Sequence, residues 1–114
     1  MPVNFKFADI ILPFPLSQTF TYGIPDEFLG LTMPGMRVVV QFGAKRLYTG
    51  IVQSIHNNQP TEYTVKPIVS VLDSQPVVND LQLQHWQWIS NYYMSPIGDV
   101  MKAALLRHLF LGNA

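Results

Sequence analysis

Three short stretches of this chain carry side chains able to hold a ligand. Phe20-Thr21-Tyr22 sets a hydroxyl between two rings. On a strand the two rings share one face and Thr21 turns the other way. The segment is then either two core aromatics with an outward threonine or one wall of a site. Phe42-Gly43 is followed at once by Lys45 and Arg46. Glycine after a strand supplies a backbone conformation that other residues resist, and its missing Cβ also lets a ligand lie against the main chain. Lys45 and Arg46 are either a solvated turn or phosphate contacts. Lys66 stands shortly before Val71-Leu72-Asp73-Ser74. A lysine there guards an edge strand against edge-to-edge pairing, or it meets a phosphate or a base. Asp73-Ser74 reads as a turn or cap rather than a ligand site.

Other chemistry is missing from the sequence. There is no cysteine, which removes disulfides, thiolate metal sites and cysteine nucleophiles together. His56, His85 and His108 have no metal-ligand spacing, so no metal site is expected. No Gly-x-x-x-x-Gly-Lys-Ser/Thr loop exists, so ATP hydrolysis by this chain is excluded on motif grounds. Serine, histidine and aspartate occur only as composition, and the chain alone is not expected to be an enzyme. Trp86, Trp88, Tyr92 and Tyr93 offer a stacking platform of the kind single-strand binders use. Their helical spacing favours packing most of them onto a sheet, with some left to contact the rest of a longer protein.

The elements that must position these residues are strands first and helices last. Val3, Phe5 and Phe7 alternate with polar residues, and Ile10-Ile11-Leu12 forms an apolar run bounded by Pro13 and Pro15. Phe20, Tyr22 and Ile24 alternate again. Pro34-Gly35 suits the centre of a type II turn, whose second residue needs positive φ. Met36 to Phe42 and Leu47 to Ile55 read as strands, and so does Val65 to Leu72, where Pro67 implies an edge or a bulge. Asn79 or Asp80 can cap a helix carrying Leu81, His85, Trp88, Ile89 and Tyr92 on one stripe. Ser95-Pro96 reads as a cap with proline at the first position of a second helix, whose stripe is Ile97, Val100, Met101, Ala104 and Leu105.

These elements predict an α+β fold: a small, strongly bent β-sheet or partial barrel of about five to six strands, followed by two C-terminal helices. The length of 114 residues suits a single domain, with a β part over about 3–72 and a helical part over about 79–108. Hydrophobic residues make up 48% and charged ones 12%, which argues for a compact fold. Asp9, Pro13 and Pro15 interrupt any signal-peptide core, and no apolar run has the length of a membrane span. A cytoplasmic location without a membrane partner is expected. Seven basic residues balance seven acidic ones. A net charge of zero leaves little room for counterion release along a phosphate backbone, so any nucleic acid bound must be held locally.

Several fragments in order carry a resemblance: Thr19-Phe20-Thr21-Tyr22, Pro34-Gly35-Met36-Arg37-Val38, Phe42-Gly43, Gly50-Ile51-Val52 and Val71-Leu72-Asp73-Ser74-Gln75-Pro76. Tyr92-Tyr93 and Pro96-Ile97-Gly98-Asp99-Val100 complete the series. Together, over roughly residues 3–107 of the sequence, they resemble the N-terminal DNA-binding domain of PriA, the bacterial replication-restart helicase (primosomal protein N′). The resemblance implies a pocket for the 3′-terminal nucleotide of a DNA strand at a stalled fork, formed by Phe20, Thr21, Tyr22, Gly43 and Lys66. It implies phosphate contacts for Lys45 and Arg46, and no cofactor in this part. A helicase motor using ATP, a zinc site and the contacts to other primosome proteins are implied for the rest of a longer chain, from which this domain looks excised. The chain departs from the resemblance at Thr21, where a known family member has aspartate, so this contact carries no charge of its own. The rival reading is a small-barrel protein-interaction module without DNA affinity, anchored by exposed Phe14, Phe28 and Tyr48.

Overall fold

A computed structural model describes residues 5–15, 18–44, 46–61 and 64–112, with the side chains of 106–112 excepted. Strands β1 (Phe7–Ile11), β2 (Phe20–Gly23), β3 (Arg37–Phe42), β4 (Arg46–His56) and β5 (Ser70–Val71) precede helices α1 (Asp80–Tyr93) and α2 (Ile97–Gly112). The five strands form one open sheet in the order β2-β1-β4-β3-β5, each ladder antiparallel. Val3 lies outside the described residues. The strand expected over Val65 to Leu72 contracts to Ser70–Val71, because the residues before it do something else.

That segment curls the sheet. Gly23 donates to the Lys66 carbonyl at 2.9 Å, and Ile68 donates to the Gly23 carbonyl at 2.9 Å. Val69 then donates to the Val39 carbonyl at 2.8 Å. One stretch therefore touches β2 at one edge of the sheet and β3 near the other, with Pro67 in a lone parallel bridge to Gly23. Proline fits because its nitrogen has no proton to place. Across the concave side, the Tyr22 hydroxyl donates to the Gln41 carbonyl at 2.8 Å, linking strands that are not neighbours in the sheet.

The alternation in the strands fills that concavity. Ala8, Ile10, Val38, Val40 and Val52 are fully buried there with Tyr22, Ile24 and Ile68. Each fully buried aliphatic side chain contributes about 1.5–3 kcal/mol, enough to make this wall stiff. A register shift between Asp9 and Ile10 adds one residue to β4, and strand alternation sends the two neighbouring isoleucines to separate cores. Ile10 stays in the concave core while Ile11 joins a second core under the helices, with Ile51, Val78, Leu83, Trp86, Ile97 and Met101.

Turn and cap chemistry largely obey the residues. Gly35 has φ +91°, and Met36 donates to the Met33 carbonyl, closing the type II turn. A Cβ at Gly35 would stand 1.9 Å from the Val78 carbonyl oxygen, so only glycine lets the approach to α1 lie so close. Asn79 caps α1 in a capping box with Gln82. Ser95 belongs to the end of α1 instead of starting α2: it donates to the Ser90 carbonyl and accepts from the Ser90 hydroxyl. Pro96 takes the capping place, its carbonyl accepting from Val100, one residue later than expected.

The expected stripe on α1 is a correction. Leu83 and Trp86 face the sheet, whereas Leu81, His85, Trp88 and Tyr92 face solvent, as does Tyr93. Both faces carry large apolar residues, so periodicity alone did not decide between them. The second helix packs its expected stripe, with Ile97 and Met101 buried and Val100, Ala104 and Leu105 against them.

Candidate functional site

At the open end of the concave core, β2, the β3–β4 turn and the segment before β5 leave a cleft of about 290 Å³. Phe20, Thr21 and Tyr22 form one wall, Gln41, Phe42 and Gly43 another, and Thr64 and Lys66 a third. Volume alone would favour the groove between α1 and α2, about 440 Å³, but no lysine or arginine lines it. The smaller cleft combines rings, open main chain and a cation.

Each wall is fixed by the fold. The Phe20 ring meets Phe42 edge-on with centroids 5.1 Å apart, and Phe42 contacts Phe14 at 5.0 Å. Tyr48 closes the group against Phe14 at 4.6 Å. The rings are half-buried against the core, so their exposed edges are held at one angle. Tyr22 is buried, and its ring floors the cleft instead of offering a stacking face. Gly43 has φ +78°, and no heavy atom lies within 4 Å of where a Cβ would stand. Lys66 is exposed, and its ammonium donates to the Gly43 carbonyl at 3.3 Å, bridging the cleft between two walls.

Thr21 behaves differently from its two neighbours. Its hydroxyl donates to Asp9 Oδ1 at 2.6 Å, across the pair of strands in which Asp9 and Thr21 are direct partners. The same carboxylate accepts from the Ser54 hydroxyl at 3.2 Å and meets His56 Nε2 at 2.8 Å. Asn58 donates its N–H to His56 Nδ1 at 3.0 Å, which places the ring proton on Nε2, facing Asp9. Burial pushes the Asp9 carboxyl up, but the hydrogen bonds from Thr21, His56 and Ser54 outweigh it and hold the group below its ordinary range.

The five residues expected to form a site therefore line one cleft: Phe20, Thr21, Tyr22, Gly43 and Lys66. Arg46 does not line it; it is exposed at the start of β4, paired in register with Phe42. Lys45 lies outside the described residues, as does the His108 side chain. Asp73 is an ion-pair partner, gripping the Arg37 guanidinium at 2.8 Å and its backbone N–H at 2.9 Å. Among the described residues no group of three histidine or acidic side chains stands close enough to hold a metal ion. No helix among them is long and apolar enough to cross a membrane. Sequence reasoning passed over Gln41, Thr64 and Asp9. The last had a signal: a lone carboxylate inside the apolar strand Phe7-Ala8-Asp9-Ile10-Ile11. The rival anchors are not exposed, since Phe14, Phe28 and Tyr48 are all half-buried and the two phenylalanines pack on the core.

Comparison with known proteins points the same way. A family model for PriA, described as the 3′DNA-binding domain (3′BD), matches residues 9–106. The replication restart protein PriA of Haemophilus influenzae is 31% identical over 100 residues, covering 88% of this chain and 13% of the relative. PriA of Buchnera aphidicola from Acyrthosiphon pisum is 33% identical over 97 residues, covering 84% of this chain and 13% of the relative. PriA of Bacillus subtilis is 27% identical over 93 residues, covering 79% and 12% respectively. The chain thus spans a small part of the length of the relatives it matches.

Proposed function

Because this chain belongs to the family of PriA 3′DNA-binding domains, we propose that it binds DNA by holding the 3′ end of a strand in the cleft between β2, the β3–β4 turn and Lys66. The observation that carries this reading is convergence. Three segments far apart in sequence bring a ring edge, an open glycine backbone and a lysine to one small volume. Those are the parts a terminal nucleotide needs: a surface for the base, main chain for the sugar, and a cation for the last phosphodiester. Lys66 bridging to Gly43 limits the room, so a strand that ends enters and a continuing strand does not. Base identity matters little in such a site.

The energetics suit a sensor. One stacked base contributes about 1–3 kcal/mol, and a few hydrogen bonds add modestly. The isolated domain should bind in the roughly micromolar to millimolar range. Net neutrality fits, because end recognition needs few phosphates. In a longer replication-restart helicase acting in the cytoplasm, the domain would mark the 3′ end of a nascent strand at a stalled fork. It uses no cofactor itself; ATP, zinc and the other primosome proteins belong to the remaining parts.

Fluorescence anisotropy with short strands of one sequence, ending in a 3′-hydroxyl or a 3′-phosphate, tests this at low salt. A clear preference for the hydroxyl end, weakened at least tenfold in Lys66→Ala, is expected. Equal binding of both ends would show nonspecific affinity and end this reading. Lys66→Ala is the cleaner variant, because a side chain at Gly43 also strains its positive φ.

A further inference from the structure

Thr64 shares a wall of the cleft with Lys66, and both residues are exposed. Between them Val65 is half-buried and turns toward Gly23, where a Cβ would stand 3.7 Å from its Cγ1. That alternation, and the proline after Lys66, mark an extended segment in which Thr64 and Lys66 point to one side. Ile68, two residues further on, is buried in the concave core. Along this wall Thr64 therefore lies outside Lys66, toward the mouth of the cleft. The Lys66 ammonium crosses to the Gly43 carbonyl, whereas the Thr64 hydroxyl has no hydrogen-bond partner among the described residues. Its proton is available to an acceptor. Two residues of extended chain cover about 6.6 Å, comparable to a nucleotide step of an extended strand.

We propose that Thr64 forms a second subsite, its hydroxyl donating to the phosphodiester one nucleotide before the strand end while Lys66 faces the last one. This rests on the reading of the cleft as an end-binding site. The strand enters past Thr64 and stops beyond Lys66, so the cleft engages two backbone linkages and not one. A hydroxyl at the outer subsite suits a chain of zero net charge, because it grips a phosphate without adding a cation. The subsites accordingly answer differently to salt: a phosphate held by Lys66 releases a counterion, and one held by a neutral hydroxyl does not.

Amide-shift NMR titrations with unlabelled thymidine oligomers ending in a 3′-hydroxyl test this. A dimer has only the last linkage, and a trimer has the preceding one as well. The trimer should bind the natural chain about three- to tenfold more tightly than the dimer. Thr64→Val keeps the branched shape and removes the hydroxyl. It should abolish the trimer's advantage and leave the dimer's affinity unchanged, whereas Lys66→Ala should weaken both oligomers. Salt should weaken the trimer as steeply in Thr64→Val as in the natural chain, and less steeply in Lys66→Ala. Equal binding of dimer and trimer by the natural chain overturns the proposal. So does a Thr64→Val variant that weakens both oligomers alike, as a merely structural role would, or changes neither. The end-binding reading fails separately, if Lys66→Ala weakens neither oligomer or if a 3′-phosphate trimer binds as well as the hydroxyl form.

Discussion

Two groups of aromatic rings sit on different parts of this molecule, one on the sheet and one on α1, and meet opposite fates. On the sheet, Phe20, Phe42, Phe14 and Tyr48 touch one after another, with centroids 5.1, 5.0 and 4.6 Å apart. On α1, His85, Trp88, Tyr92 and Tyr93 touch at 6.1, 5.0 and 4.9 Å. The contacts are alike, but the first group is half-buried against the core while Trp88, Tyr92 and Tyr93 are 55–66% exposed. Packing of ring on ring thus says little about stability. What separates the groups is a second layer: the sheet rings rest on a hydrophobic floor, whereas Trp88, Tyr92 and Tyr93 stand exposed on the helix.

The sharpest way to break this contrast is truncation. Phe42→Ala should lower stability by about 2–4 kcal/mol and abolish 3′-end binding, because Phe42 braces both Phe14 and Phe20. Trp88→Ala should cost under about 1 kcal/mol and leave end binding intact, as urea melts and anisotropy would show. In the natural chain, an end-labelled strand should leave Trp emission unchanged. Strong quenching would make the α1 rings the DNA platform and reverse the comparison.

Acid sharpens it next. Asp9 and Asp73, the two carboxylates held below their ordinary 3.8 among the described residues, both tie sheet residues. For Asp73 the Arg37 hydrogen bond is the main cause. Groups with lowered folded values stabilise the fold above about 4 and lose that contribution as pH falls through those values. The cap of α1 is a pair of neutral amides, Asn79 and Gln82, which acid does not touch. Melting temperatures should therefore drop between pH 5 and about 2, and Asp73→Asn should shrink the drop. An undiminished drop would place the acid-sensitive groups elsewhere.

The smallest effect belongs to the helix side. Met94, exposed at the end of α1, holds φ +54°, a left-handed conformation that glycine adopts without strain. Met94→Gly should raise stability by up to about 1 kcal/mol with no change in DNA binding. A loss of stability would mean that Met94 makes contacts worth more than its backbone strain.

Much of the sheet was legible because strand alternation and turn residues are local. Phe20 and Tyr22 turned inward and Thr21 outward as their spacing required, and Gly35 sits where Pro34 announced a turn. The convergence of Phe20, Gly43 and Lys66 was readable only through resemblance, since it depends on a curl no local pattern encodes. Two matters stayed hidden. Either stripe of α1 is apolar enough to be the inner one, and packing on the sheet chose Leu83 and Trp86. The Asp9–Thr21 link needed the register between β1 and β2, which comes from pairing and not from composition.

Lys66 joins the cleft to the closure of the sheet. Its carbonyl receives the Gly23 amide proton while its ammonium reaches over the cleft. Whatever the ammonium holds also restrains the peptide that fastens the sheet's outermost strand. If the cleft holds a DNA end, amide exchange at Gly23 and Ile68 would report how long that end stays.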